Sequence, residues 1–289
     1  DPLALKPSMP ALTSATRLVA LLGDPVAHSL SPRFQNAAFE AAGVDGVYVA
    51  LRCDAAAFPG LFAGIAHSGG AGNVTIPHKA LAAECIDVAT PAVRRTGACN
   101  TFWLEDGRIH GDNTDVAGVR AAVRALVSAP AGARVLLLGA GGAASAALCA
   151  LLDEGVDSVI VSNRSPERAR ALAARVGGDP RIHVAESSGV IGGERFDLVV
   201  NATPLGLHAG DPLPLDLDGP ARVGAVLDLV YSPGETTWVH DARRRGIPAA
   251  DGREMLLAQG AAAFERWWNR RAPLEVMRRA LQEAARHTG

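Results

Sequence analysis

Lysine is almost missing from this sequence: of its 28 basic residues other than histidine, all but Lys6 and Lys79 are arginine. Such a bias leaves lysine where arginine would fail, as at a site that must exchange a proton, which a guanidinium cannot do. Cysteine is sparse and unpaired. Cys53, Cys85, Cys99 and Cys149 show no C-x-x-C spacing, which argues against a zinc site and a disulfide framework and fits a reducing cytoplasm. Excess charge is absent too, at a net −2, so the overall balance attracts neither nucleic acid nor an anionic membrane. Arg243-Arg244-Arg245, Arg270-Arg271 and Arg278-Arg279 read as solvated helix faces. There is no long apolar run either. The uncharged stretch 135–152 is interrupted by Gly139, Gly141 and Gly142, as expected of a buried strand followed by a buried helix. Residues 1–16 lack the apolar segment of a signal peptide and read as a flexible tail.

What is present describes a globular enzyme-sized chain. Its 289 residues, 48% hydrophobic and 20% charged, suit two domains. Short β-branched runs alternate with Ala-rich helical stretches, the pattern of parallel sheets with crossover helices, and no internal repeat is visible. Strands are expected at 18–22, 47–51, 72–74, 99–104 and 108–111, with helices at 32–42, 55–65 and 77–85. Asp106-Gly107 carries a hairpin signal between two of those strands. A helix over 114–127 leads to a second series: strand 134–138, helix, strand 158–162, helix 165–176, then strands near 182, at 198–201 and at 226–228. Helices at 253–268 and 273–286 follow, separated at Pro273. With no further strand to cover, they are expected to cross back onto the first domain and close a cleft. The expected division is a tail at 1–16, an α/β domain with a mainly parallel sheet from 17–114 plus 252–289, and a Rossmann-type domain at 115–251.

Gly139-Ala140-Gly141-Gly142-Ala143-Ala144 follows the apolar strand and opens a helix, the context that gives a G-x-G-x-x-G/A string meaning. Gly139 permits the tight turn, Gly141 lets backbone approach a pyrophosphate, and Ala144 permits close helix packing. NAD sites place an acidic residue about 20 positions further on. Here that region reads Asn163-Arg164-Ser165, with Arg168 one turn later. Guanidinium groups suit a ribose 2′-phosphate, so the expected cofactor is NADP.

Polar clusters punctuate the first half at strand ends: Ser29-Leu30-Ser31-Pro32, Asn73-Val74-Thr75-Ile76-Pro77-His78-Lys79, Asn100-Thr101 and Asn113-Thr114-Asp115. Ser31 capping a helix that starts at Pro32 would make a carboxylate site with Ser29. The Asn and Thr side chains suit a substrate with several hydroxyls. Lys79 is the natural proton-exchanging group, and Asp115 can orient it or share its proton.

These motifs resemble those of the shikimate dehydrogenase family over about residues 18–268, adding Gly23-Asp24-Pro25, Gly97-Ala98-Cys99, Asn201-Ala202-Thr203-Pro204-Leu205-Gly206, Asp228-Leu229-Val230-Tyr231 and Met255-Leu256-Leu257-Ala258-Gln259. The resemblance implies NADPH-dependent, reversible reduction of 3-dehydroshikimate to shikimate, a step toward chorismate and the aromatic amino acids. It assigns the substrate carboxylate to Ser29 and Ser31, ring hydroxyls to Thr75, Asn100, Asp115 and Gln259, and catalysis to Lys79 and Asp115, either of which moves the proton. Asn73 and Thr114 join the substrate site. Tyr231 is placed near substrate and nicotinamide, and Thr203, Leu229 and Gly252 beside the cofactor. Gln35 stands where a histidine is expected, and Ser165 where threonine is commoner. The first leaves room for quinate or aminoshikimate as substrates. A non-catalytic ligand-sensing relative is the alternative of another class, but Lys79 and Asp115 are both present. Partners are a small-molecule substrate and at most a second copy of the chain.

Overall fold

The structure, a computed structural model, describes residues 12–185, 193–208, 210–231 and 234–286. Lys6 and most of the expected tail lie outside the described residues. Among these residues the strands form two six-stranded sheets and one small two-stranded sheet.

The first sheet begins with β1 (Arg17–Gly23), buried on both faces as an interior parallel strand must be. The elements that follow are α1 (Ser31–Ala42), β2 (Gly46–Arg52), α2 (Phe58–His67), β3 (Ala71–Val74), α3 (Lys79–Glu84), β4 (Val88–Ala89), α4 (Pro91–Thr96), β5 (Thr101–Glu105), β6 (Arg108–Asp112) and α5 (Asp115–Leu126). The strand order is β2-β1-β3-β5-β6-β4. β5 runs antiparallel to both neighbours, so the sheet is mixed and not uniformly parallel. Asp106 and Gly107, at φ 50° and 73°, make the expected two-residue turn between β5 and β6. That reversal has a chemical consequence. It brings the entry to β5 (Asn100) and the exit of β6 (Asn113 to Asp115) to the edge where β1 and β3 end.

The second sheet is built from β7 (Arg134–Leu138), α6 (Gly142–Asp153), β8 (Ser158–Ser162), α7 (Pro166–Arg175), β9 (Ile182–Val184), β10 (Arg195–Phe196), β11 (Leu198–Asn201), β12 (Arg222–Val223), β13 (Val226–Asp228), α8 (Thr237–Arg244) and β14 (Ala249–Ala250). Its order is β14-β13-β11-β7-β8-β9, parallel throughout, while β10 and β12 pair separately. The chain reverses its direction of travel across the sheet between β7 and β11. A crevice for ligands opens at such a switch point.

The last helices, α9 (Arg253–Trp268) and α10 (Leu274–Arg286), return to the first sheet as expected. Leu257, Phe264, Trp267, Met277 and Leu281 join Phe34, Phe39 and Tyr48 in one buried cluster. Two glycines make the approach possible. A Cβ on Gly118 of α5 would lie 2.7 Å from the Met255 carbonyl oxygen, and one on Gly260 of α9 would lie 2.5 Å from the Phe34 ring. Among the described residues no helix is long and apolar enough to cross a membrane.

Short elements escaped the periodicity reading, above all α4 and α8, because six or eight residues give too few repeats. Their local signals are present nonetheless. Thr90 caps α4 with Pro91 behind it, and Thr236 caps α8, each hydroxyl accepting from a backbone N–H three residues on.

Candidate active site

Lys79 opens α3 and Asp115 opens α5, and the first sheet sets them face to face: Nζ lies 2.5 Å from Oδ2. Their side chains are 21% and 8% exposed, so the ion pair is partly withdrawn from water, where a charge-assisted bond gains strength. Asn100 Nδ2 donates to the other carboxylate oxygen at 2.8 Å. The Asn100 amide cannot flip, because its oxygen accepts from the Thr114 N–H at 2.8 Å and from the Thr101 and Thr114 hydroxyls. Both oxygens of Asp115 are thereby fixed.

Asn73, on β3, donates through Nδ2 to the Asn100 carbonyl and to Thr101 Oγ1, each at 3.0 Å. Its oxygen accepts from the Tyr48 hydroxyl at 2.8 Å. Burial pushes the Tyr48 phenol far above its ordinary range, so it serves as a neutral hydrogen-bonding group. Tyr48 was not singled out from the sequence. Only its rarity, as one of two tyrosines, marked it.

Ser31 does not cap α1. The cap position falls on Leu30, without a side-chain bond, and the Ser29 hydroxyl accepts instead from the Ser31 N–H at 3.2 Å. Both serines still stand at the start of α1. Thr75 and Tyr231 are half-buried, and burial raises the Tyr231 phenol. Gln259 lies on the face of α9 against α5, where a Cβ on Gly118 would come 3.0 Å from its Cβ. Gln35 is completely buried. It donates to the Gly260 carbonyl at 2.8 Å, and its own oxygen has no partner among the described residues.

On the second sheet Gly139 adopts φ 110°, and a Cβ there would strike the Ala202 carbonyl at 2.8 Å. Ala140 is half-buried, while Gly141 and Gly142 are exposed at the start of α6, where an added Cβ would meet nothing within 4 Å. Ala143 and Ala144 continue into the helix, Ala144 fully buried. This is an open backbone cradle at a helix N-terminus, suited to a pyrophosphate. β8 ends beside it without a carboxylate. The Arg164 and Arg168 side chains are exposed and make no hydrogen bond or ion pair among the described residues, so both guanidinium groups are available to a 2′-phosphate. Asn163 and Ser165 are engaged locally: the Asn163 amide donates to the Ser165 carbonyl, and Ser165 Oγ donates to Glu167. Ser165 occupies the cap position of α7 but makes no capping bond. Thr203 donates to Asn201 Oδ1 at 2.6 Å, Leu229 N–H donates to the Asn201 carbonyl, and a Cβ on Gly252 would lie 2.4 Å from the Leu229 oxygen. Those three residues border the crevice through tightly packed backbone. Beneath them Asp228 is buried, which raises its carboxyl, while bonds from Thr236, Asn201 and the Val230 N–H hold the carboxylate.

Fold and site together define a class: two-sheet α/β oxidoreductases that join a Rossmann-type unit to a second sheet carrying a polar lysine–aspartate site. Residues 21–102 match the shikimate dehydrogenase substrate binding domain, residues 122–204 the shikimate / quinate 5-dehydrogenase model, and residues 252–282 the shikimate 5′-dehydrogenase C-terminal domain. Shikimate dehydrogenase (NADP(+)) of Moorella thermoacetica is 43% identical over 280 residues, covering 94% of both chains. That of Rubrobacter xylanophilus is 42% identical, covering 95% of this chain and 98% of the relative. Among solved structures, shikimate dehydrogenase from Aquifex aeolicus superimposes with a TM-score of 0.85 at 33% identity, covering 94% of this chain and all of that one. The Thermus thermophilus enzyme in complex with NADP(H) and shikimate gives 0.80 at 34% identity, covering 93% and 99%. This chain belongs to the shikimate dehydrogenase family.

Proposed function

We propose that this protein is an NADP-dependent shikimate dehydrogenase, reducing 3-dehydroshikimate reversibly to shikimate. The observation that carries this reading is the Lys79–Asp115 pair at 2.5 Å, set among Asn and Thr side chains at the end of the first sheet. The protein's relatives by name and the shikimate-bound neighbour support the substrate, and the free Arg164 and Arg168 support NADP over NAD.

NADPH, when bound, supplies the hydride. The chain's own residues do the rest. Ser29 and Ser31, at the N-terminus of α1, hold the ring carboxylate. Thr75, Asn100, Asp115 and Gln259 take the ring hydroxyls, Asn100 and Asp115 held in place by the bonds described above, and Asn73 and Thr114 complete the substrate site by holding Asn100. Tyr231 closes the side toward the nicotinamide. The Lys79 ammonium donates a proton to the oxygen that becomes the new hydroxyl, and Asp115 orients and stabilises that ammonium. In the oxidative direction neutral Lys79 takes the proton back. Gly139, Ala140, Gly141, Gly142, Ala143 and Ala144 receive the pyrophosphate, Asn163, Arg164, Ser165 and Arg168 the adenosine phosphate, and Thr203, Leu229 and Gly252 the nicotinamide end. We place the enzyme in the cytoplasm, on the route to chorismate, acting as monomer or homodimer. Purified protein given shikimate and NADP⁺ should form NADPH and a ketone. Absence of both products would overturn the assignment.

A further inference from the structure

The mechanism leaves α4 without a task, although this six-residue helix is tied to the site at both ends. At its start Thr90 Oγ1 donates to Asp112 Oδ1 at 2.7 Å. At its end Thr96 Oγ1 accepts from Asn113 Nδ2 at 2.9 Å. Asn113, 2% exposed, in turn accepts the Asp115 N–H on its own oxygen at 3.2 Å. The turn 112–115 that delivers Asp115 thus hangs from the two ends of α4.

The other side of α4 rests on the helix that opens at the glycine cradle. Ser145 Oγ, fully buried on α6, donates to the Thr96 carbonyl at 3.1 Å, and Arg95 pairs with Asp153 at the far end of α6 at 2.8 Å. An unbroken series therefore runs from α6 through Ser145, Thr96 and Asn113 to Asp115. Hydride transfer needs the reacting atoms aligned to within a fraction of an ångström, and small misplacements cost large factors in rate. We infer that α4 is a strut holding Asp115, and Lys79 with it, in register with the cofactor helix, and that Thr96, at its C-terminal end, is the positioning residue. The inference rests on the role proposed above for Asp115.

Thr96→Val removes the hydroxyl at nearly constant volume, and Thr96→Ser restores it. Thr96→Val should lower kcat about tenfold while moving KM for NADP and for shikimate less than about threefold. Amide hydrogen exchange over residues 113–118 should accelerate in the same variant, and Thr96→Ser should return both readouts to near wild type. Ser145→Ala should lower kcat about threefold, and adding it to Thr96→Val should cost nothing further, as for two links of one chain. Wild-type kcat and exchange in Thr96→Val, or a serine variant no better than the valine one, would overturn the strut. Should Thr96→Val fail to fold, Ser145→Ala decides, and an unchanged kcat there counts against it. A wild type inactive on shikimate would remove the reading of the site and the strut together, whereas an active wild type with indifferent variants removes the strut alone.

Discussion

The Tyr48 hydroxyl donates to Asn73 Oδ1 at 2.8 Å, so one buried phenol on β2 orients a polar side chain on β3. Because Asn73 Oδ1 has this donor, its NH₂ group is committed to the Asn100 carbonyl and Thr101. Tyr48→Phe removes only the oxygen. It should raise KM for shikimate about tenfold, the worth of one well-placed hydrogen bond, with kcat and KM for NADP changed far less. Steady-state kinetics in both substrates would check this, and an unchanged KM for shikimate would show that Tyr48 is packing alone.

Lys79→Ala should lower kcat by about 10² to 10⁴ while leaving NADP affinity nearly intact, since its ammonium reaches Asp115 and not the glycine cradle. Parallel turnover and NADP-binding measurements separate the two effects. Full turnover in the variant would remove Lys79 from the chemistry.

Arg164→Ala should raise KM for NADP about 10- to 100-fold, and adding Arg168→Ala should raise it further, because each loses a charge-assisted bond to phosphate. The efficiency with NAD should hardly change. Equal losses with both cofactors would mean that these exposed arginines act on something other than the 2′-phosphate.

Stability should respond to acid through Glu154, at the end of α6. Burial alone would raise its carboxyl, but Arg124 and Arg120 of α5, at 2.6 and 2.7 Å, prevail and hold it below the usual carboxylate range. A depressed folded value contributes stability above the unfolded value of about 4.3, and that contribution is lost as pH falls through the folded value. Glu154→Gln should therefore lower Tm by a few degrees near neutrality, and the gap should close as pH falls through and below the usual carboxylate range. A constant gap across the whole range would contradict the account.

The parts legible in the sequence were those whose cause is local. Strands β7, β8, β11 and β13 lie where the apolar runs placed them, and Asp106-Gly107 announced its hairpin. Lys79 stood out because arginine replaces lysine nearly everywhere else. Features that depend on contacts across the sheet were not legible. The Tyr48–Asn73 bond joins residues 25 positions apart, and the Thr96–Asn113 bond links a helix too short to show a period. Ser31 looked like a cap because Ser-Pro so often begins a helix, yet the backbone turned one residue earlier and put the cap position on Leu30.

The most direct measurement is kcat/KM for shikimate and for quinate, each with NADP and with NAD, on one preparation. The pairing of free arginines at the end of β8 with the serine, asparagine and threonine site predicts that shikimate with NADP exceeds every other combination by at least about tenfold. Equal or greater efficiency with quinate or with NAD would contradict it.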